Sequence, residues 1–347
     1  MAMTVTINEI ARKLNLSVGT VSKALNNYRD VSDTTRARVR AAARELGYSP
    51  SASARNLRRR RTERIGVVVT YSINIVNDFL SEFIPGAVAA AEDSGYSLTL
   101  FTHAAQDPEQ LSKICQTREV DGLLLLWPPD VAATVRLLQA ERMPYVIAPR
   151  RVSLPDASYV AADHYQGGWL LTRHLLEFGH SRIAFASRPD LFETNQDRLA
   201  GYCEALKHAG LSFDPNLVVP IPGNRPDAGE VALNALLEMD GPPTALLCFT
   251  DAMAIQVLSL ASERQIAIPD QLSVAGHDGI LLSGLTVPPL TTVRQPIAQI
   301  GRLAIESLLA RLEDADHAPH QTMLPVELIA RQSTGLCSAQ PFQIFRR

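Results

Sequence analysis

From Ile65 onward the chain repeats one theme: a short apolar run, a polar break, then a longer stretch with apolar residues at helical spacing. The runs are Ile65–Thr70, Leu98–Thr102, Gly122–Leu126, Tyr145–Ala148, Tyr159–Ala162, Ile183–Ala186, Leu217–Ile221, Ala245–Phe249 and Leu272–Ala275. Helical stretches are predicted at Phe79–Ser94, Val131–Glu141, Gly167–Phe178, Arg198–Ala209, Ala228–Glu238 and Ala252–Glu263. Strands that alternate with helices cannot pair as hairpins, so they predict parallel sheets covered on both faces. About 280 residues exceed one ordinary sheet, which favours two similar lobes. In such sheets a ligand sits outside the carboxyl ends of the strands, here in the cleft between lobes.

The first 64 residues do not share that pattern. They hold 14 Lys/Arg against five acids, a net of +9, while residues 65–347 hold 19 against 31, a net of −12. The total of −3 therefore hides two modules of opposite sign. A positive module gains affinity for nucleic acid by releasing phosphate counterions.

Capping residues locate three helices in the basic module. Thr6 and Glu9 are spaced as a capping box, followed by Ile7, Ile10, Ala11 and Leu14 on one apolar stripe. Asn15-Leu16 interrupts the stripe and Ser17 starts a second helix carrying Val18, Val21, Ala24 and Leu25. Two short helices joined by so tight a turn match a helix-turn-helix. Ser32 starts a third helix with Val39, Ala42, Ala43 and Leu46 inward, and Gly47 ends it. A small three-helix bundle without DNA function is the alternative, which the charge disfavours.

Three blocks then carry a family resemblance: the A-x-x-x-x-x-S-x-x-T-V-S-K-x-L-N run from Ala11 to Asn26, V-S-x-x-T-R-x-R-V from Val31 to Val39, and L-G-Y-x-P from Leu46 to Pro50. In this order and spacing they resemble the DNA-binding headpiece of the lactose-repressor (LacI/GalR) family of bacterial transcriptional regulators. The resemblance implies that the second helix enters the major groove with Val18, Gly19 and Lys23 toward base edges. Val18 offers only an apolar contact, and core packing is its other reading; Lys23 can donate to guanine O6/N7. Gly19 departs from relatives with a long polar residue there. Thr20, Ser22, Asn26 and Thr35 have the chemistry for positioning contacts to phosphate, and Thr6 and Ser17 are further DNA-binding candidates. The small-residue stretch Ser51–Leu57 resembles the family hinge, a helix that forms on the operator and pairs with its copy. Ala54 would permit that close approach, Arg55 would face phosphate, and Leu57 would wedge into the central base step. Arg58 to Arg61 read either as unspecific phosphate attraction or as a solvated linker.

The resemblance continues through N-D-F-L (Asn77–Leu80), V-A-A-D-H-Y-Q-G-G (Val160–Gly168), F-G-H-S-R-I-A-F (Phe178–Phe185), D-R-L-A-G-Y (Asp197–Tyr202), V-A-G-H-D (Val274–Asp278) and T-T-V-R-Q-P (Thr291–Pro296). It implies a regulatory domain similar to periplasmic sugar-binding proteins, with crossovers between lobes near Ala162–Asp163, Thr292–Arg294 and Leu324–Val326. Arg198 matches a fork on ligand hydroxyls, suited by its planar donors. Asp278 matches a carboxylate that accepts from sugar hydroxyls, and Thr250 stands where Asn is usual. Asn77, Phe79 and Arg150 complete the effector-binding candidates. Each has a plainer reading: Phe79 as core, Arg150 paired with an acid across the cleft, Asp278 as a turn cap. Pro149 replaces a common Asp, and Asn224 replaces a stacking aromatic. With Arg150, Arg151 and Arg198 near the cleft, a sugar acid or sugar phosphate is a plausible ligand.

Enzyme motifs are wanting: no G-x-G-x-x-G, P-loop lysine, H-E-x-x-H or G-x-S-x-G stands in a fitting context. Cys115, Cys203, Cys248 and Cys337 are scattered without metal spacing, and the eight His are dispersed, with His180 and His277 read as structural or cleft residues. No cofactor or metal is expected. Without a signal peptide or bilayer-spanning run, the expected location is cytoplasmic, nucleoid-associated when DNA-bound.

The expected organisation is an all-α helix-turn-helix headpiece over 1–49, a hinge helix and basic linker over 50–64, an α/β periplasmic-binding-protein-like effector-binding and dimerisation domain of two parallel-sheet lobes over 65–340, and a tail over 341–347. The N-lobe is placed at about 65–162 with 294–325, and the C-lobe at about 163–292 with 326–340. No leucine heptad follows Cys337, which argues against a coiled-coil tetramer. The expected function is a homodimeric repressor of carbohydrate-metabolism genes. Its affinity for a near-palindromic double-stranded operator is switched by a small ligand, a sugar or sugar derivative. A stand-alone sugar-binding protein and a sugar-acting α/β enzyme stay open as alternatives.

Overall fold

The computed structural model describes residues 5–25, 28, 30–48, 61–69, 77–102, 107–190, 192–221, 223, 225–314 and 318–337. Contacts divide the chain into two compact units, Met1–Glu63 and Arg64–Arg347.

In the first unit, helices α1 (Ile7–Leu14), α2 (Val18–Leu25) and α3 (Asp33–Glu45) pack around Ile10, Ala11, Val21, Ala24, Val39, Ala42 and Ala43. The predicted caps are present. The Thr6 N–H donates to Glu9 Oε2 at 2.7 Å, Thr20 N–H to Ser17 Oγ at 3.0 Å, and Thr35 N–H to Ser32 Oγ at 3.3 Å. Between α1 and α2, Asn15 takes a left-handed backbone (φ 53°), which Asn tolerates better than most residues.

The second unit alternates strands and helices as its apolar runs predict. In chain order these are β1 (Arg64–Val69), α4 (Asn77–Asp93), β2 (Ser97–Phe101), α5 (Pro108–Thr117), β3 (Gly122–Leu126), α6 (Val131–Ala140), β4 (Tyr145–Ala148) and β5 (Tyr159–Ala162). There follow α7 (His164–Glu177), β6 (Ile183–Ser187), α8 (Phe192–His208), β7 (Val218–Pro220), α9 (Ala228–Leu237), β8 (Ala245–Cys248), α10 (Asp251–Glu263) and β9 (Ser273–Ala275). The chain closes through β10 (Thr292–Arg294), α11 (Ile297–Glu313), β11 (Gln321–Leu324) and β12 (Glu327–Ile329).

One sheet has the order β11-β5-β4-β3-β1-β2 and the other β7-β6-β8-β9, and every pairing in both is parallel. Strands covered on both faces should be continuously apolar. β3 reads Gly-Leu-Leu-Leu-Leu and every residue in it is buried. Helices α5 and α11 lie outside the alternation read from the sequence. The inner face of α11 (Ile297, Ile300, Gly301, Ala304, Ile305, Leu308) is buried, and the helix packs on α4.

Two passages between the sheets are themselves paired. β10 and β12 form an antiparallel ribbon with Thr292 opposite Ile329 and Arg294 opposite Glu327. The backbone beyond β9 is stitched to the same ribbon: Asp278 N–H donates to Val293 O and Gln295 N–H to Asp278 O, both at 3.0 Å. In the second sheet's layer, α7 and α8 make an unusually close contact. A Cβ on Gly168 would stand 2.1 Å from the carbonyl oxygen of Arg198.

Candidate functional site

Two surfaces collect the sequence-predicted residues, one in each unit. On the headpiece, the outward side of α2 presents Val18, Gly19 and Lys23. Val18 is 42% exposed, which sets core packing aside. A Cβ on Gly19 would meet only Ser17 Oγ, at an ordinary contact distance of 3.7 Å. Lys23 pairs with the carboxylate of Asp30 in the loop after α2. Thr6 and Ser17 are exposed, while Thr20, Ser22 and Thr35 are half-buried. The hydroxyls of Ser17 and Thr20 hydrogen-bond at 2.8 Å, and that of Thr35 accepts from Ser32 at 2.9 Å. Asn26, Ala54, Arg55 and Leu57 lie outside the described residues, as does Asn224.

In the second unit, the ends of β3, β4, β6, β8 and β9 deliver Trp127, Arg150, Arg188, Thr250 and Asp278 to the carboxyl edges of the two sheets, where α/β folds bind ligands. Arg198, on α8, is 4% exposed. Its guanidinium lies 4.2 Å over the Phe249 ring, 3.5 Å from Asp278 Oδ1, donates to the Phe249 carbonyl, and donates to His164 Nδ1 at 3.4 Å. Burial lowers its pKa to about 10, so it stays charged. Asp278 has an unusual positive φ of 141°, a conformation that costs energy unless the surroundings impose it. Gln295 donates to its Oδ1 at 2.8 Å.

Asp251 imposes that conformation. It is fully buried, donates its N–H to His277 O at 2.8 Å, and accepts from Gly279 N–H at 2.8 Å, Ile280 N–H at 3.0 Å and Thr292 Oγ1 at 2.5 Å. One carboxylate thus ties the loop bearing Asp278 to β10. Burial pushes both carboxyls up, and for Asp251 the neighbouring Asp278 adds to it; for Asp278 the Arg198 charge works in opposition. Beside them, His164 and His277 are held neutral, pushed well down by burial and then by Arg198. Their rings lie 5.5 Å apart.

The remaining candidates divide. Phe79 is half-buried; its ring packs 5.7 Å from Phe83 and, edge-on, 5.1 Å from Trp127. It is both core and wall. Thr250 spends its hydroxyl capping α10, accepting from Met253 N–H at 3.2 Å. Asn77 begins α4, and its side chain lies outside the described atoms. Arg150 does pair with an acid, Glu193 at 3.8 Å, and also donates to the Pro128 carbonyl. Arg151 grips Asp197 with two bonds, at 3.1 and 2.8 Å. Arg188 grips Asp190 likewise, at 2.9 and 2.7 Å. Every arginine invoked for an anionic ligand therefore has a carboxylate already, and that expectation loses its support. His180 is structural, as read: its ring bonds Thr244 Oγ1 at 2.8 Å and the Gly335 carbonyl at 3.0 Å.

Sequence reasoning missed Asp251, His164, Gln295 and Trp127. Asp251 did leave a signal, an acid directly behind an apolar strand at the start of a helix. Among the described residues no three His, Cys, Asp or Glu are grouped to hold a metal, and no helix is long and apolar enough to cross a membrane.

Comparison with known proteins finds relatives for both units. Residues 6–51 match the family described as bacterial regulatory proteins, lacI family, and residues 172–334 match the periplasmic binding protein-like domain. The HTH-type transcriptional repressor PurR of Vibrio atlanticus (strain LGP32) is 35% identical over 333 residues, 94% of this chain and 98% of the relative. The HTH-type transcriptional repressor CytR of Escherichia coli (strain K12) is 34% identical over 338 residues, 95% of this chain and 96% of the relative. The lac repressor dimer bound to operator and the anti-inducer ONPF superposes with a TM-score of 0.80 at 25% identity, covering 95% of this chain and 99% of that one. A CelR–cellobiose complex superposes at 0.74 with 29% identity, again over 95% and 99%. The chain belongs to the lacI family of bacterial regulatory proteins and is a DNA-binding transcriptional regulator, not an enzyme.

Proposed function

We propose that the chain is a repressor that binds a near-palindromic operator as a homodimer, its affinity set by a neutral, hydroxyl-rich small molecule held at the carboxyl ends of the two sheets. The observation that carries the ligand class is the Arg198–Asp278 pair, a fixed planar donor beside an acceptor at 3.5 Å. Asp278 keeps part of its surface open, whereas Arg198 does not. A vicinal diol matches such a donor–acceptor pair, while an anion would meet Asp278 and three further arginines already neutralised. The Phe79–Trp127 edge-on pair supplies an apolar wall of the kind that packs on a sugar ring or a flat base. Arg150, Thr250 and Asn77 complete the wall as secondary contacts. A relative whose solved structure holds cellobiose supports the sugar class.

On DNA, Val18, Gly19 and Lys23 face base edges; Thr6, Ser17, Thr20, Ser22, Asn26 and Thr35 hold phosphates. Leu57 wedges the central step, with Ala54 and Arg55 beside it in the hinge. The self-association surface is supported by Leu281, Leu282, Leu285 and Val287, which stand 79%, 46%, 71% and 89% exposed within one short segment, an apolar patch of the sort that marks an interface. Acting on chromosomal DNA, the protein works in the cytoplasm. Ligand and operator are thermodynamically linked, so each shifts the other's affinity by the same factor.

The test is a thermal-shift screen of cellobiose, ribose, other neutral sugars, nucleosides, sugar acids and sugar phosphates. Fluorescence anisotropy on a selected palindromic duplex follows for each hit. A neutral polyol or nucleoside should stabilise the protein and change operator affinity. A response confined to sugar acids or phosphates would overturn the ligand class.

A further inference from the structure

An acid on a DNA-reading surface calls for a reason, and Asp30 is such an acid. It sits in the loop between α2 and α3, and its carboxylate accepts from the Lys23 ammonium. Both side chains are about half exposed, 52% and 49%. Exposed ion pairs add at most about 1 kcal/mol to stability, so folding alone does not explain the carboxylate. Beside the operator's phosphates it costs affinity.

The described residues on either side of Asp30 are tied to α3 and to each other. Val31 N–H donates to Tyr28 O at 3.3 Å, and the Arg36 guanidinium from α3 donates to Tyr28 O at 3.1 Å and Val31 O at 3.0 Å. Arg36 is further paired with Asp33. The Asp30 carboxylate is thus presented at a set place beside the side chain assigned to base reading. The Lys23 ammonium also holds its carboxyl below the usual range, keeping it ionised.

We infer that Asp30 is a specificity-determining residue: with Lys23 it forms a donor–acceptor pair that reads one G·C base pair in each half-site, Lys23 donating to guanine O6 and Asp30 accepting from cytosine N4. This rests on the α2 face being the reading surface proposed above. The chemistry is complementary at both positions, because guanine O6 is an acceptor and the neighbouring cytosine N4 a donor. An A·T pair inverts both groups, so the ammonium would meet the adenine amino group and the carboxylate the thymine oxygen. The acid therefore trades attraction for discrimination, a repulsive device against wrong partners.

The experiment selects binding sequences for the full-length protein and for Asp30→Ala, Asp30→Asn and Lys23→Ala from a randomised palindromic duplex library. Affinities for the selected site, its single-position variants and a random duplex are then measured. Wild type should fix G·C at one symmetric position. Asp30→Ala should bind the random duplex more tightly and lose about tenfold or more of the discrimination at that position alone. Asp30→Asn keeps an acceptor oxygen without the charge, so it should retain the preference while gaining non-specific affinity. An unchanged preference in Asp30→Ala, or relaxation at an A·T position instead, overturns the assignment. If Lys23→Ala selects the wild-type sequence, the reading of the α2 face fails first, a separate outcome. Thermal melts confirm that each variant is folded.

Discussion

The Gly168–Arg198 contact allows a prediction worked from geometry. In Gly168→Ala the new Cβ would lie 2.1 Å from the Arg198 carbonyl oxygen, 3.0 Å from its carbonyl carbon and 3.1 Å from its Cα. All three are backbone, so no side chain can swing aside, and α7 and α8 must part by about 1 Å to reach ordinary contact. Overpacking of this kind costs about 1–3 kcal/mol, which for a domain of this size lowers the melting temperature by roughly 2–12 °C. The displaced residue is the one whose guanidinium contacts Asp278, so effector response should fall with stability. Gly229→Ala is the control: its Cβ would lie 2.4 Å from Gln256 Cβ and 2.8 Å from Met253 O, a clash between α9 and α10 that does not touch Arg198. Melting curves and effector-dependent operator anisotropy on both variants decide the matter. If Gly229→Ala loses as much response as Gly168→Ala at a matched loss of stability, the positional argument for Arg198 is wrong.

Further outcomes follow from other parts of the molecule. Burial pushes the carboxyls of Asp251 and Asp278 up, so the folded state holds protons that the unfolded chain releases, and stability from them is lost as pH rises through their folded values. His164 and His277 are pushed down and act in the opposite sense only where free histidine charges, below about pH 6.5. The melting temperature of Asp251→Asn should therefore gain on that of wild type as pH rises from about 4 to about 7 and hold level above; a difference that does not change with pH would contradict the burial argument. Arg151→Ala and Asp197→Ala should couple by under about 1 kcal/mol in a double-mutant cycle on stability, since the pair is partly exposed, and zero coupling would remove it as a tie between the sheet-end loop and α8. Leu281→Asp with Leu285→Asp should give monomers in sedimentation equilibrium while leaving the melting temperature within a few degrees. Val18→Ser should leave stability unchanged and weaken operator binding by about 1 kcal/mol; a destabilised headpiece would return Val18 to the core.

The sequence spoke most clearly where backbone chemistry is local. Thr6, Ser17 and Ser32 cap their helices because a hydroxyl or box partner is needed there whatever the tertiary context. The strands were legible because burial on both faces demands unbroken apolar runs. Helix α11 carried the same periodic signal as its neighbours, at Ile297, Ile300, Ala304, Ile305 and Leu308, but it falls after the last apolar strand run, where alternation no longer marks it. The site was legible only in part. Arg198 and Asp278 stand in family blocks, yet their electrostatic state depends on Asp251, which contacts residues 26 to 41 positions away. Pairings such as Arg151 with Asp197 have no local pattern at all, which is why arginines that looked free for an anion are already occupied.

The β10–β12 ribbon bears on how such a protein diversifies. A single peptide joining two lobes can bend in any direction, whereas two hydrogen-bonded strands resist splaying and leave twisting as the soft motion. The axis of any lobe movement is thus written in main chain, while the groups proposed to face the ligand, such as Phe79, Arg198 and Asp278, are side chains carried by separate elements. Substituting those groups alters what is recognised without altering how the lobes turn. Selection can therefore exchange one effector for another while inheriting the motion unchanged.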